Sequence, residues 1–210
     1  MQVTEVSRVP TLSGSLIDQL GAPRAEPSRD GMPPDDRSLA RILETATTVP
    51  DHGSLRPWRF AVIIGAGRER FGEALVESLH QLRGDDLPEA MVTKMRGKAF
   101  AAPCAVMVIA SPNPESNVPE WEQVVSASYT GYALVLAATA LGFGAVWKSA
   151  AVLDGEPIRA LFDLAPGERL LGWINVGTPG APSRKKQSDG GLDDRGPLVT
   201  MLDSAHRPSG

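Results

Sequence analysis

Val49-Pro50-Asp51-His52-Gly53-Ser54-Leu55-Arg56-Pro57-Trp58-Arg59-Phe60-Ala61-Val62 marks the point where one periodicity gives way to another. Before it, Leu39, Ile42, Leu43 and Ala46 recur at helical spacing behind Asp35 and Asp36, either of which can cap a helix that should stop near Val49-Pro50. After it, Trp58 to Ile64 reads as a strand rich in aromatic and β-branched residues. Asp51, His52 and Ser54 therefore sit on a loop held by two rigid elements, a common place for chemistry. Taken alone, His52 would be a turn or cap residue.

Downstream, Gly65-Ala66-Gly67 leads into a helix from about Arg68 to Leu82, with Phe71, Leu75, Leu79 and Leu82 on one face. A phosphate loop would occupy this position, but Arg70 replaces the third glycine of G-x-G-x-x-G, so a plain turn is expected. A charged helix over 87–100, a strand Ala105 to Ala110, a long helix Trp121 to Leu141 and a strand Gly144 to Lys148 follow. A short helix, Pro157 to Phe162, leads to a last strand, Arg169 to Val176, and the chain after Gly177 is too polar for a core. Upstream lie a tail over 1–12, a short helical pattern from Ser15 to Leu20, and a stretch rich in Pro, Gly and charge from Gly21 to Pro34, expected as a surface excursion. Four strands interleaved with helices predict an α+β or α/β sandwich in a single domain over 13–202, with tails at 1–12 and 203–210.

The 210 residues, 42% hydrophobic and 22% charged, suffice for one real core. A net charge of -4 and a pI near 5.4 give no attraction to polyanions, and no stretch alternates basic with aromatic residues, so nucleic acid is not an expected partner. Met1 to Pro10 carries Glu5 and Arg8 with no apolar run, which argues against a secretory signal and for a cytoplasmic address. Val124 to Leu141 is uncharged over nearly a bilayer's length. Its Ser126, Ser128, Tyr129, Thr130, Gly131, Tyr132 and Thr139 instead suit a helix buried at the centre of the protein or at a subunit interface, so no membrane association is expected.

Cys104 is the lone cysteine, flanked by the apolar run of a buried strand, which argues against a catalytic thiol. His52, His80 and His206 lack the spacing and company of a metal site, and no G-x-S-x-G elbow is present, so hydrolase and metalloenzyme chemistries are disfavoured.

The opening segment resembles the Ala-Pro-Asp-His, spacer, Pro-Trp-Arg-Phe pattern of the small YdjA-type branch of the FMN-dependent nitroreductase family, with Val49 at the place of the Ala. Val118-Pro119-Glu120-Trp121-Glu122-Gln123 is similar to that branch's entry into its central helix, and Gly142-Phe143-Gly144-Ala145-Val146-Trp147-Lys148-Ser149 to its Gly-Phe-Gly-x-x-Trp-Arg-Ser strand. Gly172-Trp173-Ile174-Asn175-Val176-Gly177-Thr178-Pro179 and Pro197-Leu198-Val199-Thr200 continue the likeness, which runs in family order from about Leu16 to Leu202. The resemblance implies an α+β nitroreductase-like fold with a central, mostly antiparallel sheet flanked by helices. It also implies an intertwined homodimer whose two flavin sites each draw on both subunits.

By the same resemblance, Pro50, Asp51 and His52 would line the isoalloxazine ring from one subunit, with Trp147, Lys148 and Ser149 running along it. A flavin that accepts hydride gains negative charge near N1 and O2, where Lys148 or Arg56 would supply a stabilising cation. A backbone N–H near Ser149-Ala150 would reach the N5 edge; the family has Gly at the position of Ala150. The Ala137 to Gly142 stretch resembles one assigned to nicotinamide contact in relatives, although packing explains it first.

One part of the pattern is missing. The family's first helix ends in Arg-Arg-Ser, which binds the FMN phosphate by charge-assisted bonds, whereas this chain has Gln19-Leu20-Gly21, and Thr48 replaces a further arginine. Each lost charged bond costs about 1.5–3 kcal/mol, so two would weaken FMN binding by roughly a hundredfold or more. Arg24, or Arg184 in Ser183-Arg184-Lys185-Lys186, would be the replacement charge.

The expected activity is ping-pong oxidoreduction, with hydride passing from NADH or NADPH through FMN to a nitroaromatic, quinone or enal. The alternative is a degenerate, flavin-free family member that serves as a binding or regulatory dimer. A specialised oxidase or dehydrogenase on a small biosynthetic substrate is a further option on the same fold.

Overall fold

The computed structural model describes Leu20 and residues 24–180. Strands β1 (Trp58–Ile64), β2 (Cys104–Ala110), β3 (Gly144–Lys148) and β4 (Arg169–Gly177) form one sheet in the order β1-β2-β4-β3. All neighbouring pairs run antiparallel. The antiparallel sheet expected from the resemblance is thus present, every pair among the described residues being antiparallel, and the α/β alternative gives way to α+β.

The connections explain this. Helix α1 (Asp36–Ala46) precedes β1, and α2 (Gly67–Arg83), α3 (Glu89–Gly97), α4 (Glu120–Ala140) and α5 (Glu156–Leu161) separate the strands. The α2–α3 hairpin returns the chain to the end of β1 that it left, so Cys104 pairs with Ile64. By contrast α4 is a single crossover: β2 and β3 run parallel to each other, and β4 occupies the slot between them, antiparallel to both.

Strand β2 is buried throughout and alternates between two cores. Ala105, Met107 and Ile109 meet α2 and α5 through Phe71, Leu75, Leu79 and Ile158, whereas Cys104, Val106 and Val108 meet α1 and α4 through Ile42, Ala46 and Leu134. This is the period of two expected of a strand covered on both faces. On β4 the register slips opposite Val108 and Ile109. The slip places Leu170 and Trp173, three residues apart, in the same core.

Asp35 caps α1, its Oδ1 accepting the Ser38 amide at 2.7 Å, as its position suggested. At the far end of α4, the amides of Gly142 and Phe143 donate to the carbonyls of Thr139 and Ala138 at 2.9 Å each, a Schellman closure that aims the chain into β3.

Two sequence expectations need correction. Leu82 is exposed, because the core along α2 ends at Leu79, one turn short of the helix end. The single helix expected over 87–100 begins only after Pro88, held at ψ 132°, and tightens into a 3₁₀ turn at Lys98–Phe100. The stretch expected as a surface excursion is largely at the surface where it is described, and it is tied down there: Ala25 accepts from Ala145, Ser28 donates to Thr178, and Gly180 donates to Glu26, so it lies along β3 and the end of β4. The helical pattern at 15–19 lies outside the described residues, as do both proposed tails.

Candidate functional site

Between α1 and β1, residues 50–57 form a tied loop. The Asp51 carboxylate accepts the Arg56 amide at 2.6 Å, and the Ser54 amide donates to the Asp51 carbonyl at 3.2 Å. Gly53, Ser54 and Arg56 all have left-handed backbones, with φ of 77°, 53° and 49°. Two non-glycine residues in that region within one short loop are a local strain of the kind concentrated at functional sites. Asp51 therefore holds the loop's shape rather than facing a ligand as a free carboxylate. Pro50, His52, Ser54 and Arg56 are exposed, and the Arg56 guanidinium makes no ion pair among the described residues.

This loop meets the start of α4. His52 Nδ1 lies 2.8 Å from Glu122 Oε2. The neighbouring Gln123 is buried: its Oε1 accepts the Asn113 amide at 2.8 Å, and its Nε2 donates to the carbonyls of Asn113 and Val118 at 3.1 and 2.9 Å. The first turn of α4 is thus anchored, and with it Glu122. A cleft of about 330 Å³ lined by Asn113, Ser116, Pro119, Glu120 and Gly167 also borders Gln123, but none of the expected site residues line it.

A second group gathers further along α4. The Trp147 ring packs against Gly131, where a Cβ would overlap its six-membered ring, and against Gly172, where a Cβ would approach its Nε1. Glycine at both positions leaves the room the indole occupies between α4 and β4. Lys148 Nζ is 3.1 Å from Glu26 Oε1, so its charge is already partnered, which was not expected of a free cation at the site. Ser149 is exposed just past the end of β3. Arg24 donates to the Leu20 carbonyl at 3.0 Å and the Tyr132 hydroxyl at 3.3 Å, and its guanidinium carbon lies 5.5 Å from the Tyr132 ring centroid. Its Nε is buried without a partner among the described residues, a donor arrangement that fits an anionic group. Arg184, Gln19 and Gly21 lie outside the described residues, and Thr48 is spent on the end of α1, donating to the Thr45 carbonyl.

The structure thus sorts the expected residues into two groups rather than one. Residues 122 and 132 on α4 are separated by about 15 Å of helix rise, so the His52 group and the Trp147–Lys148–Arg24 group are too far apart along α4 to line the same small ring from a single chain. The exposed flank between them is apolar: Trp121, Val125, Tyr129 and Tyr132 stand at helical spacing, from 37% to 66% exposed. The long helix is therefore buried on only one side within the chain.

Sequence reasoning missed Arg59. Its Nε and one terminal nitrogen donate to the two oxygens of Glu168 at 2.7 and 2.6 Å, and that nitrogen also reaches the carbonyls of Phe162 and Asp163 at 3.0 Å each. Arg59 holds the Glu168 carboxyl down to about 2, opposed by burial and helped by the Ala165 amide. The arginine of Pro57-Trp58-Arg59-Phe60 therefore clamps the 162–168 loop to β1, and its only sequence signal was an arginine in an apolar strand. Glu122, Gln123 and Gly131 were also missed as contributors, since their partners are distant in sequence.

Among the described residues no cluster could hold a metal ion and no helix is long and apolar enough to cross a membrane. Cys104 is buried in β2, the strand position its apolar setting suggested, and burial pushes its thiol up to about 12.

The Nitroreductase family model matches residues 30–178. YdjA of Escherichia coli (strain K12) is 34% identical over 188 residues, covering 89% of this chain and 97% of its own. Among solved structures, a nitroreductase-like family protein from Bacillus cereus has a TM-score of 0.64 at 21% identity, covering 83% of this chain and 93% of that one. The FMN-dependent nitroreductase NfnB from Mycobacterium smegmatis, solved in complex with NADPH, has a TM-score of 0.57 at 19% identity, covering 78% and 86%. With this identity, this coverage and an antiparallel sheet between two helical layers, the chain belongs to the nitroreductase family.

Proposed function

We propose that the chain is an FMN-dependent NAD(P)H oxidoreductase that works as a homodimer and reduces a nitroaromatic, quinone or enal. The observation that carries the reading is the division of the expected site residues into two groups about 15 Å apart on α4, with an apolar flank between them. Pairing α4 with its copy covers Trp121, Val125, Tyr129 and Tyr132 and brings the His52 loop of one subunit toward the Trp147 strand of the other. NfnB of Mycobacterium smegmatis, described as FMN-dependent and solved in complex with NADPH, supports the cofactor and reductant.

FMN when bound supplies the reversible hydride acceptor that lets NAD(P)H and the electron acceptor react in turn. The chain's residues then have separable tasks. The Asp51 staple fixes the loop that presents Pro50 and His52 to the ring. Trp147, fixed between Gly131 and Gly172, sets the position of Lys148 and Ser149 at the end of β3. Arg56, without an ion-pair partner among the described residues, supplies positive charge where the reduced ring is negative, while Lys148 shares its charge with Glu26. Arg24 takes the place of the family's Arg-Arg-Ser toward the phosphate, its buried Nε being the unspent donor. Arg184 would add charge there from the C-terminal segment.

Anaerobic mixing with NADH or NADPH tests the reading: the flavin spectrum should bleach, and a nitroaromatic or quinone added afterwards should restore it. An FMN-loaded protein that neither bleaches nor reoxidises would refute it. The absent Arg-Arg-Ser favours one competitor, a flavin-free binding dimer, which normal turnover with added FMN would exclude.

A further inference from the structure

Two family-like segments that lie 70 residues apart in the chain meet at a single contact, His52 Nδ1 to Glu122 Oε2 at 2.8 Å. A carboxylate only accepts, so Nδ1 must carry the hydrogen. This reverses the preference of an unconstrained imidazole, in which Nε2 is the protonated nitrogen, and it fixes the plane of the ring. The His52 side chain is otherwise 68% exposed, and Nε2 has no partner among the described residues. Glu122 in turn cannot drift, because Gln123 anchors the turn that carries it. The other charged groups around His52 are accounted for: Asp51 is tied to the Arg56 amide, Glu120 pairs with Arg169 at 2.6 Å, and Arg56 lies four residues on.

Hydride reduction of a quinone, nitro group or enal delivers two electrons and one proton, and the product needs a second proton. We propose that Glu122 is a positioning residue that holds His52 with Nε2 turned outward, and that His52 in its doubly protonated form supplies this proton from Nε2 to the electron acceptor. For a quinone, hydride adds to one end, the Nε2–H bond breaks, and a new O–H bond forms, giving the hydroquinone. His52 is left neutral with its remaining proton on Nδ1, still held by Glu122, and solvent water reprotonates Nε2. The proposal rests on the flavin reading for its second half and on geometry alone for its first.

The test has two arms on the full-length protein. ¹⁵N NMR of the flavin-free protein, which has three histidines to assign, should show Nδ1 of His52 protonated, and Glu122→Gln should return the ring toward the Nε2–H form. With FMN bound, His52→Gln should slow the acceptor half-reaction about a hundredfold and Glu122→Gln about tenfold. In both variants the acceptor half-reaction, measured at saturating FMN, should slow by more than the reduction by NAD(P)H does. An Nε2–H ring in the unmodified protein overturns the positioning role. An acceptor step that His52→Gln leaves unchanged overturns the proton donor. Failure to bind FMN would instead defeat the proposed function, while the NMR arm would still decide the Glu122–His52 lock.

Discussion

Replacing Glu168 by Gln removes the charge that Arg59 grips while keeping the side chain's size. In the folded protein the Glu168 carboxyl is held down to about 2, against an ordinary 4.5. A depression of that size corresponds to about 3 kcal/mol of preference for the ionised form on folding. The Arg59 side chain is 37% exposed, so water screens the pair, and a contribution of about 2 kcal/mol is the appropriate magnitude. Because the folded value lies below the unfolded one, this stabilisation is fully present above the unfolded carboxyl range and is lost as pH falls from about 5 to about 2. Glu168→Gln should therefore lower Tm by about 4–8 °C at pH 7, and the gap should narrow progressively at pH 4 and pH 3. The assay is thermal unfolding of both proteins at one protomer concentration across that pH series. Other carboxylates titrate in both and cancel in the difference. A gap that stays constant from pH 7 to pH 3 would refute the assignment of Glu168 as the partnered, acid-sensitive carboxylate.

Other consequences can be checked separately. Gly131→Ala places a methyl group inside the Trp147 ring's volume and should cost about 1–3 kcal/mol, seen as a lower Tm with an altered near-UV tryptophan signal. Val125→Glu puts a charge in the middle of the apolar flank of α4; sedimentation velocity should show a monomer, with helical content by far-UV circular dichroism unchanged. Cys104, fully buried with its thiol pushed up to about 12, should resist a thiol-reactive dye at pH 8 in the native state and react once per chain in denaturant.

The helices and strands were legible because their cues are local. Leu39, Ile42, Leu43 and Ala46 announced α1, and the apolar run after Cys104 announced β2. The direction of the strands was less accessible: that α2 and α3 fold back as a hairpin while α4 crosses singly depends on how the helices pack, which periodicity does not encode. Leu82 shared the helical phase of Phe71, Leu75 and Leu79 but lacked neighbours to cover it, a property of the fold's edge rather than of the helix. At the site, the loop 50–56 could be recognised as a pattern, yet its internal economy could not. Asp51 turned inward to the Arg56 amide, Lys148 found Glu26, and His52 found Glu122, each pairing decided by the fold or by strained loop geometry. Arg59 shows the reverse case, a residue inside the most recognisable motif whose contacts are those of a structural clamp.

The central claim is that the chain binds FMN at sites completed by two copies of α4 despite carrying Gln19-Leu20-Gly21 in place of Arg-Arg-Ser. Its most direct measurement is titration of the purified full-length protein with FMN, followed by visible absorbance and sedimentation together. The account predicts a saturating flavin spectrum at one FMN per chain that sediments with a dimer. A protein that stays colourless through the titration, or that binds FMN fully as a monomer, would contradict it.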